Sequence, residues 1–188
     1  FGASLRVRLL IGTLLGVSAA LLVAGLVLSN LFREQVARQF QAGLRVHLDQ
    51  LTASVEPGAD GRPVLSAELA DARWHKPYSG LYWQVDGLDG LDGVAGQDGQ
   101  TRKIVPALLR SRSLWDATLR VPDDVLADGE VHVHDTAGPD GTRLRVMERA
   151  VRPAEVAGTV WLLRVAQDTH ELDDAVSSFV GVLVVSLG

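Results

Sequence analysis

The chain has no cysteine among its 188 residues. No disulfide, thiolate zinc site, iron–sulfur cluster or cysteine nucleophile can be built from it, an absence that fits an extracytoplasmic setting without establishing one. Lysine is nearly missing too. Only Lys76 and Lys103 stand among 18 basic residues, the bias of a GC-rich bacterial genome. With Arg6 and Arg8 set aside, 16 basic residues face all 23 acidic ones, about −7 for the rest of the chain. No nucleic-acid partner is expected, because domains that bind nucleic acid carry basic patches and a high isoelectric point. The chain also lacks a Gly-x-Ser-x-Gly elbow and a His-Glu-x-x-His zinc helix, so nothing marks it as a hydrolase.

What is present in quantity is uncharged sequence at both ends. Residues 9–32 (LLIGTLLGVSAALLVAGLVLSNLF) run 24 residues without a charge, long enough for a helix to cross a hydrocarbon core of roughly 30 Å. A secretory signal has a shorter apolar region of about 7–15 residues before its cleavage site, so a permanent anchor is the expectation. Residues 175–188 (AVSSFVGVLVVSLG) are 14 further uncharged residues, fewer than the ~20 of a span. Either they belong to a buried helix or they begin a second span that is cut short; the acids just ahead of them and the open apolar end favour the span. The expected layout is a tail at 1–8, a first span at 9–32, a polar domain at 33–174 with one core, and the start of a second span at 175–188, the front part of a longer protein. Arg6 and Arg8 on one side of the first span and Arg33, Arg38 and Arg45 on the other leave its orientation undecided.

Beyond the span, apolar residues recur at Val36, Phe40, Leu44, Leu48, Leu51 and Val55, one stripe of a helix that Pro57-Gly58 ends. Within the span, Gly12, Gly16, Ala20 and Ala24 form a row of small residues that permits close helix approach. Row and stripe together suggest a dimer seam. After a loop at 56–63 the pattern becomes extended. Residues 80–85 read as a strand, the Asp-Gly repeats over 86–99 as a turn, and 105–119 as a second extended segment. Residues 130–134 and 143–151 alternate at period two around Gly138-Pro-Asp-Gly141 and should pair as a hairpin. Residues 159–166 are apolar on both faces and should lie centrally, with Asp168 or Thr169 capping an exit helix. The expected fold is α+β: an antiparallel sheet of about five strands with a long helix on one face.

The segments PYSGLYWQV (77–85) and LRSRSLWD (109–116), in that order between two apolar runs, resemble the periplasmic sensor region of proteobacterial two-component sensor histidine kinases. The resemblance implies a PAS-like (PDC-type) fold, a domain at 33–174 in the periplasm of an inner-membrane protein, and a homodimer. It also implies a cytoplasmic part using ATP and magnesium and a cognate response regulator, with no cofactor in the present segment. The phosphate-accepting histidine of such kinases follows the second span, so the resemblance leaves His47, His75, His132, His134 and His170 non-catalytic. The same input module also serves chemoreceptors and diguanylate cyclases, the alternative output.

No catalytic set is expected. Two acidic groups are candidates for sensing cations at a membrane face: Asp123 and Asp124, followed by Asp128 and Glu130, and Asp168, Glu171, Asp173 and Asp174. His132 and His134 share a strand face with a spacing compatible with zinc, although the plainer reading is a pair of exposed strand residues. The Asp-Gly repeats lack the spacing of a calcium loop. Trp74, Tyr78, Tyr82, Trp83 and Trp115 are expected in the core rather than around a ligand.

Overall fold

The computed structural model describes residues 5–89, 103–122, 126–156 and 158–187. The chain divides into two compact units, one made of α1 up to Phe40 with α2 from Glu171, the other of Gln41–His170. Helix α1, Leu5–Ser54, is a single element of 50 residues that ends where the Pro57-Gly58 breaker requires. By length and composition it can cross a membrane, and none of its most apolar stretch is buried within the chain. In the first unit Phe32 of α1 stacks on Phe179 of α2, His170–Leu187, with ring centroids 4.2 Å apart. A Cβ added at Gly12 or Gly16 meets nothing within 4 Å, so that part of the small-residue row faces open space.

The second unit is an antiparallel five-stranded sheet of order β4-β3-β7-β6-β5, built from β3 (Leu81–Asp89), β4 (Lys103–Arg110), β5 (Val131–Ala137), β6 (Arg143–Val151) and β7 (Val160–Asp168). β7 lies in the centre because its residues are apolar on both faces, and β5 and β6 form the expected hairpin. Leu44, Leu48 and Leu51 of α1 are wholly buried, and Arg149 on β6 donates to Thr52 Oγ1 at 3.0 Å and Asp49 Oδ1 at 2.7 Å, which places this end of α1 against the sheet. Leu44, Leu48 and Leu51 of the helical stripe therefore cover the chain's own core.

Three local expectations are corrected. The loop at 56–63 is a small ribbon: β1 (Val55–Pro57) pairs with β2 (Pro63–Leu65) around a turn closed by Gly58 and Arg62. The first of the Asp-Gly repeats is strand rather than turn, since β3 pairs with β7 as far as Leu88. The remaining repeats lie outside the described residues. The segment at 105–119 stops being a strand at Arg110 and becomes a 3-10 turn at Arg112–Leu114, because its serines find better partners there. Ser111 Oγ accepts from the Trp83 amide and shares a hydrogen bond with Ser113 Oγ, which in turn reaches the Leu81 carbonyl at 2.7 Å.

Candidate functional site in the sheet

Period-two alternation decides which side chains share a face, and here it places charge inside. On the face opposite α1, Gln84 of β3, Arg164 of β7, Glu148 of β6 and His132 of β5 stand in one cross-strand row. Asp86 and His134 lie one position along from this row, on either side of it. Apolar clusters flank the band: Tyr82, Leu114, Leu119, Leu144, Val146 and Ala166 on one side, Leu126, Ala150 and Leu162 on the other. Gln84, Asp86, Glu148 and Arg164 are each at most 3% exposed.

Burial of this kind is tolerated only when the groups satisfy one another. Arg164 uses both arms of its fork: Nη1 binds Asp86 Oδ2 in a very short contact, and Nε donates to Glu148 Oε1 at 2.7 Å. Asp86 Oδ1 accepts from Gln84 Nε2 at 2.8 Å and from the Ala107 amide at 2.6 Å. The second bond depends on a bulge. The β3–β4 register shifts between Val85 and Gly87, and Ala107 there takes a positive φ of 53°, which turns its amide toward the carboxylate. Gly87 lets β4 approach, for a Cβ at that position would sit 2.8 Å from Leu108 Cδ1. Gln84 also exchanges hydrogen bonds with the backbone of Leu119, tying the crossing segment down over the band. Burial pushes the Asp86 carboxyl above the usual carboxylate range, with Arg164 opposing it. Glu148 Oε2 accepts no hydrogen bond from the described residues; His134 Nε2 is 3.7 Å away.

In the same unit the half-buried imidazole of His47 on α1 meets the buried indole of Trp74 edge-on at 5.2 Å. Burial lowers the His47 pKa, against a hydrogen bond to Gln50 that raises it. Beside it Arg73 clamps Asp71 and holds that carboxyl down at about 2.

Asp168 caps α2, its Oδ1 accepting the His170 amide at 2.8 Å, while Asp173 and Asp174 are exposed on the helix. The side chain of Glu171 lies outside the described ones, as do Asp123 and Asp124 altogether. No group of three or more metal-ligating side chains capable of holding an ion occurs among the described residues. His132 and His134 are not exposed strand residues: Val133 between them points outward, His132 approaches Glu130 at 3.0 Å, and His134 faces Glu148. Trp74, Tyr82 and Trp83 are core, whereas Tyr78 and Trp115 are exposed, both with positive φ. Tyr78 donates its hydroxyl to Asp116, joining the two segments that carry the resemblance.

The sequence is similar to the sensor protein kinase CarS of Pseudomonas aeruginosa, 32% identical over 136 residues. The match covers 70% of this chain and 25% of that protein, so the chain spans about a quarter of the length of the curated relative it matches. No family model matches the chain. No solved structure is similar to it.

Proposed function

We propose that this chain is the sensing part of a two-component sensor histidine kinase. Residues 9–32 cross the bacterial inner membrane, residues 33–174 form a PAS-like domain in the periplasm, and residues 175–188 begin the return crossing. The observation that carries the reading is the 136-residue similarity to a sensor protein kinase in a chain whose first helix is long and apolar enough to span a bilayer. The α+β domain with its five-stranded antiparallel sheet supports it.

On this reading the catalytic work, autophosphorylation with ATP and magnesium and transfer to a response regulator, belongs to a cytoplasmic part, and the present residues supply the input. The chain acts as a homodimer, with Gly12, Gly16, Ala20 and Ala24 at the contact between spans. Glu171, Asp173 and Asp174 meet cations at the membrane face, while Asp168 is occupied as a helix cap.

Topology tests the reading directly. In this cysteine-free chain, Asp60→Cys lies in an exposed turn and should react with a membrane-impermeant maleimide in intact spheroplasts, and Ser4→Cys should react only after lysis. Labelling of Asp60→Cys only after lysis would sink the proposed layout.

A further inference from the structure

A positive φ is uncommon for a residue with a side chain and rarer for a bulky one, so each instance calls for a reason. Among the described residues Ala107, Tyr78 and Trp115 are the non-glycine cases. Ala107 has its reason in the bulge that serves Asp86. Tyr78 and Trp115, with φ of 53° and 54°, instead hold large rings out in water, 47% and 54% exposed. Backbone strain and exposed apolar area both oppose folding, and a glycine at either position would relieve the first.

The two residues are also fastened together. The Tyr78 amide donates to the Ser113 carbonyl at 2.9 Å, and its hydroxyl donates to Asp116 Oδ1 at 2.9 Å, two bonds that bracket Trp115. Beneath the turn, buried Ser111, Ser113 and Leu114 fix the backbone from which Trp115 projects. The result is a braced surface of two aromatic side chains and one exposed carboxylate, whose Oδ2 accepts no hydrogen bond from the described residues. Its electrostatics have one sign. Aromatic faces are negative, and the Tyr78 hydroxyl is held above its ordinary range first by the bond to Asp116, with the charges of Asp116 and Asp140 acting the same way. Of the nearby cations, Arg110 is turned to the Ala117 carbonyl at 3.0 Å, while Lys76 and Arg112 are exposed to solvent, where salt screens them.

We infer that Tyr78, Trp115 and Asp116 form a binding site for a small organic cation, an alkylammonium group set against the two rings with its charge toward the Asp116 carboxylate. Both kinds of group are then used: cation–π attraction by the rings and an ion pair by the acid. A neutral apolar ligand would leave Asp116 idle, and a metal ion would leave the rings idle. Such a ligand would be an input to the proposed kinase, yet its binding is measured on the chain itself and stands or falls without that reading.

The test uses the full chain in nonionic maltoside micelles, because zwitterionic detergents carry quaternary ammonium groups of their own. Choline is titrated at constant ionic strength beside its neutral isostere, the alcohol in which carbon replaces the nitrogen. The readout is the indole N–H resonance of Trp115, recognised by its absence from Trp115→Phe. Choline should move that resonance saturably with a Kd on the order of 10 mM, the affinity that two cation–π contacts and one surface ion pair supply. The isostere should bind at least about fivefold more weakly, and Asp116→Asn and Tyr78→Leu should each weaken choline by about threefold. No saturable movement, an equal response to the isostere, or parental affinity in both variants would overturn the inference. If Tyr78→Leu does not fold, Asp116→Asn and the isostere decide. Phosphatidylcholine added to the micelles separates two sources of the same group: movement of the Trp115 resonance there assigns the cation to a lipid headgroup, and movement with free choline alone assigns it to a soluble ligand.

Discussion

Arg164 shows how one side chain can hold a sheet face together. Its guanidinium is planar and forked, which suits two carboxylates on flanking strands. Replacing it by methionine keeps the volume and removes the positive charge that Asp86 and Glu148 share. The variant should be destabilised by roughly 3–5 kcal/mol in denaturant unfolding, the usual cost of leaving buried carboxylates without their cation. Arg164→Lys should recover part of that loss at most, because a point charge cannot reproduce both arms. A variant of near-parental stability would mean that water reaches the band. Asp86 owes its position to backbone more than to its own chemistry, since a bulge and one glycine bring the Ala107 amide to it.

Helix α1 carries two apolar patterns, and they differ in what meets them. Leu48 is fully buried in the domain, whereas Gly16 looks onto open space. Leu48→Ala should therefore cost about 2–5 kcal/mol of domain stability, with no change in chain-to-chain crosslinking. Gly16→Ile should do the reverse, weakening crosslinking while leaving domain unfolding unmoved. Equal crosslinking in the parent and Gly16→Ile would remove the small-residue row from the association argument. Much of the element order was legible from periodicity, because the helix stripe, the 143–151 alternation and the doubly apolar central strand each bury what their pattern says. The 3-10 turn after β4 was not legible, because it is set by long-range bonds from Ser111 and Ser113 to β3. The charged band was legible only in part: Glu148 falls on the inward register with Leu144, Val146 and Ala150, and Arg164 interrupts an apolar strand, yet only strand pairing brings them beside Asp86. Asp86 itself was hidden by its Asp-Gly context, which reads as a turn until the register with β7 is known.

At the scale of the whole molecule, polar and apolar surface are unevenly shared. The exposed large apolar residues concentrate along the first part of α1, whereas the sheet domain keeps most of its own inside. That division is what a chain with one end in lipid and a domain in water requires, and it fits the proposed topology. The tryptophans follow the same economy with one exception. Trp74, Trp83 and Trp161 are each no more than 5% exposed, while Trp115 is 54% exposed, held out by a backbone with φ of 54° and ψ of −108°. Such a conformation costs on the order of 1–3 kcal/mol for a residue with a side chain, and the buried serines and Leu114 around it keep it in place. The consequence is spectroscopic. Iodide, which does not enter protein interiors, should extinguish about one emitter of the four and leave the rest bright, and Trp115→Phe should abolish that quenchable fraction. The chain thus carries its own optical label on the LRSRSLWD turn, and anything that settles over that turn will register as protection from iodide before any output downstream is known.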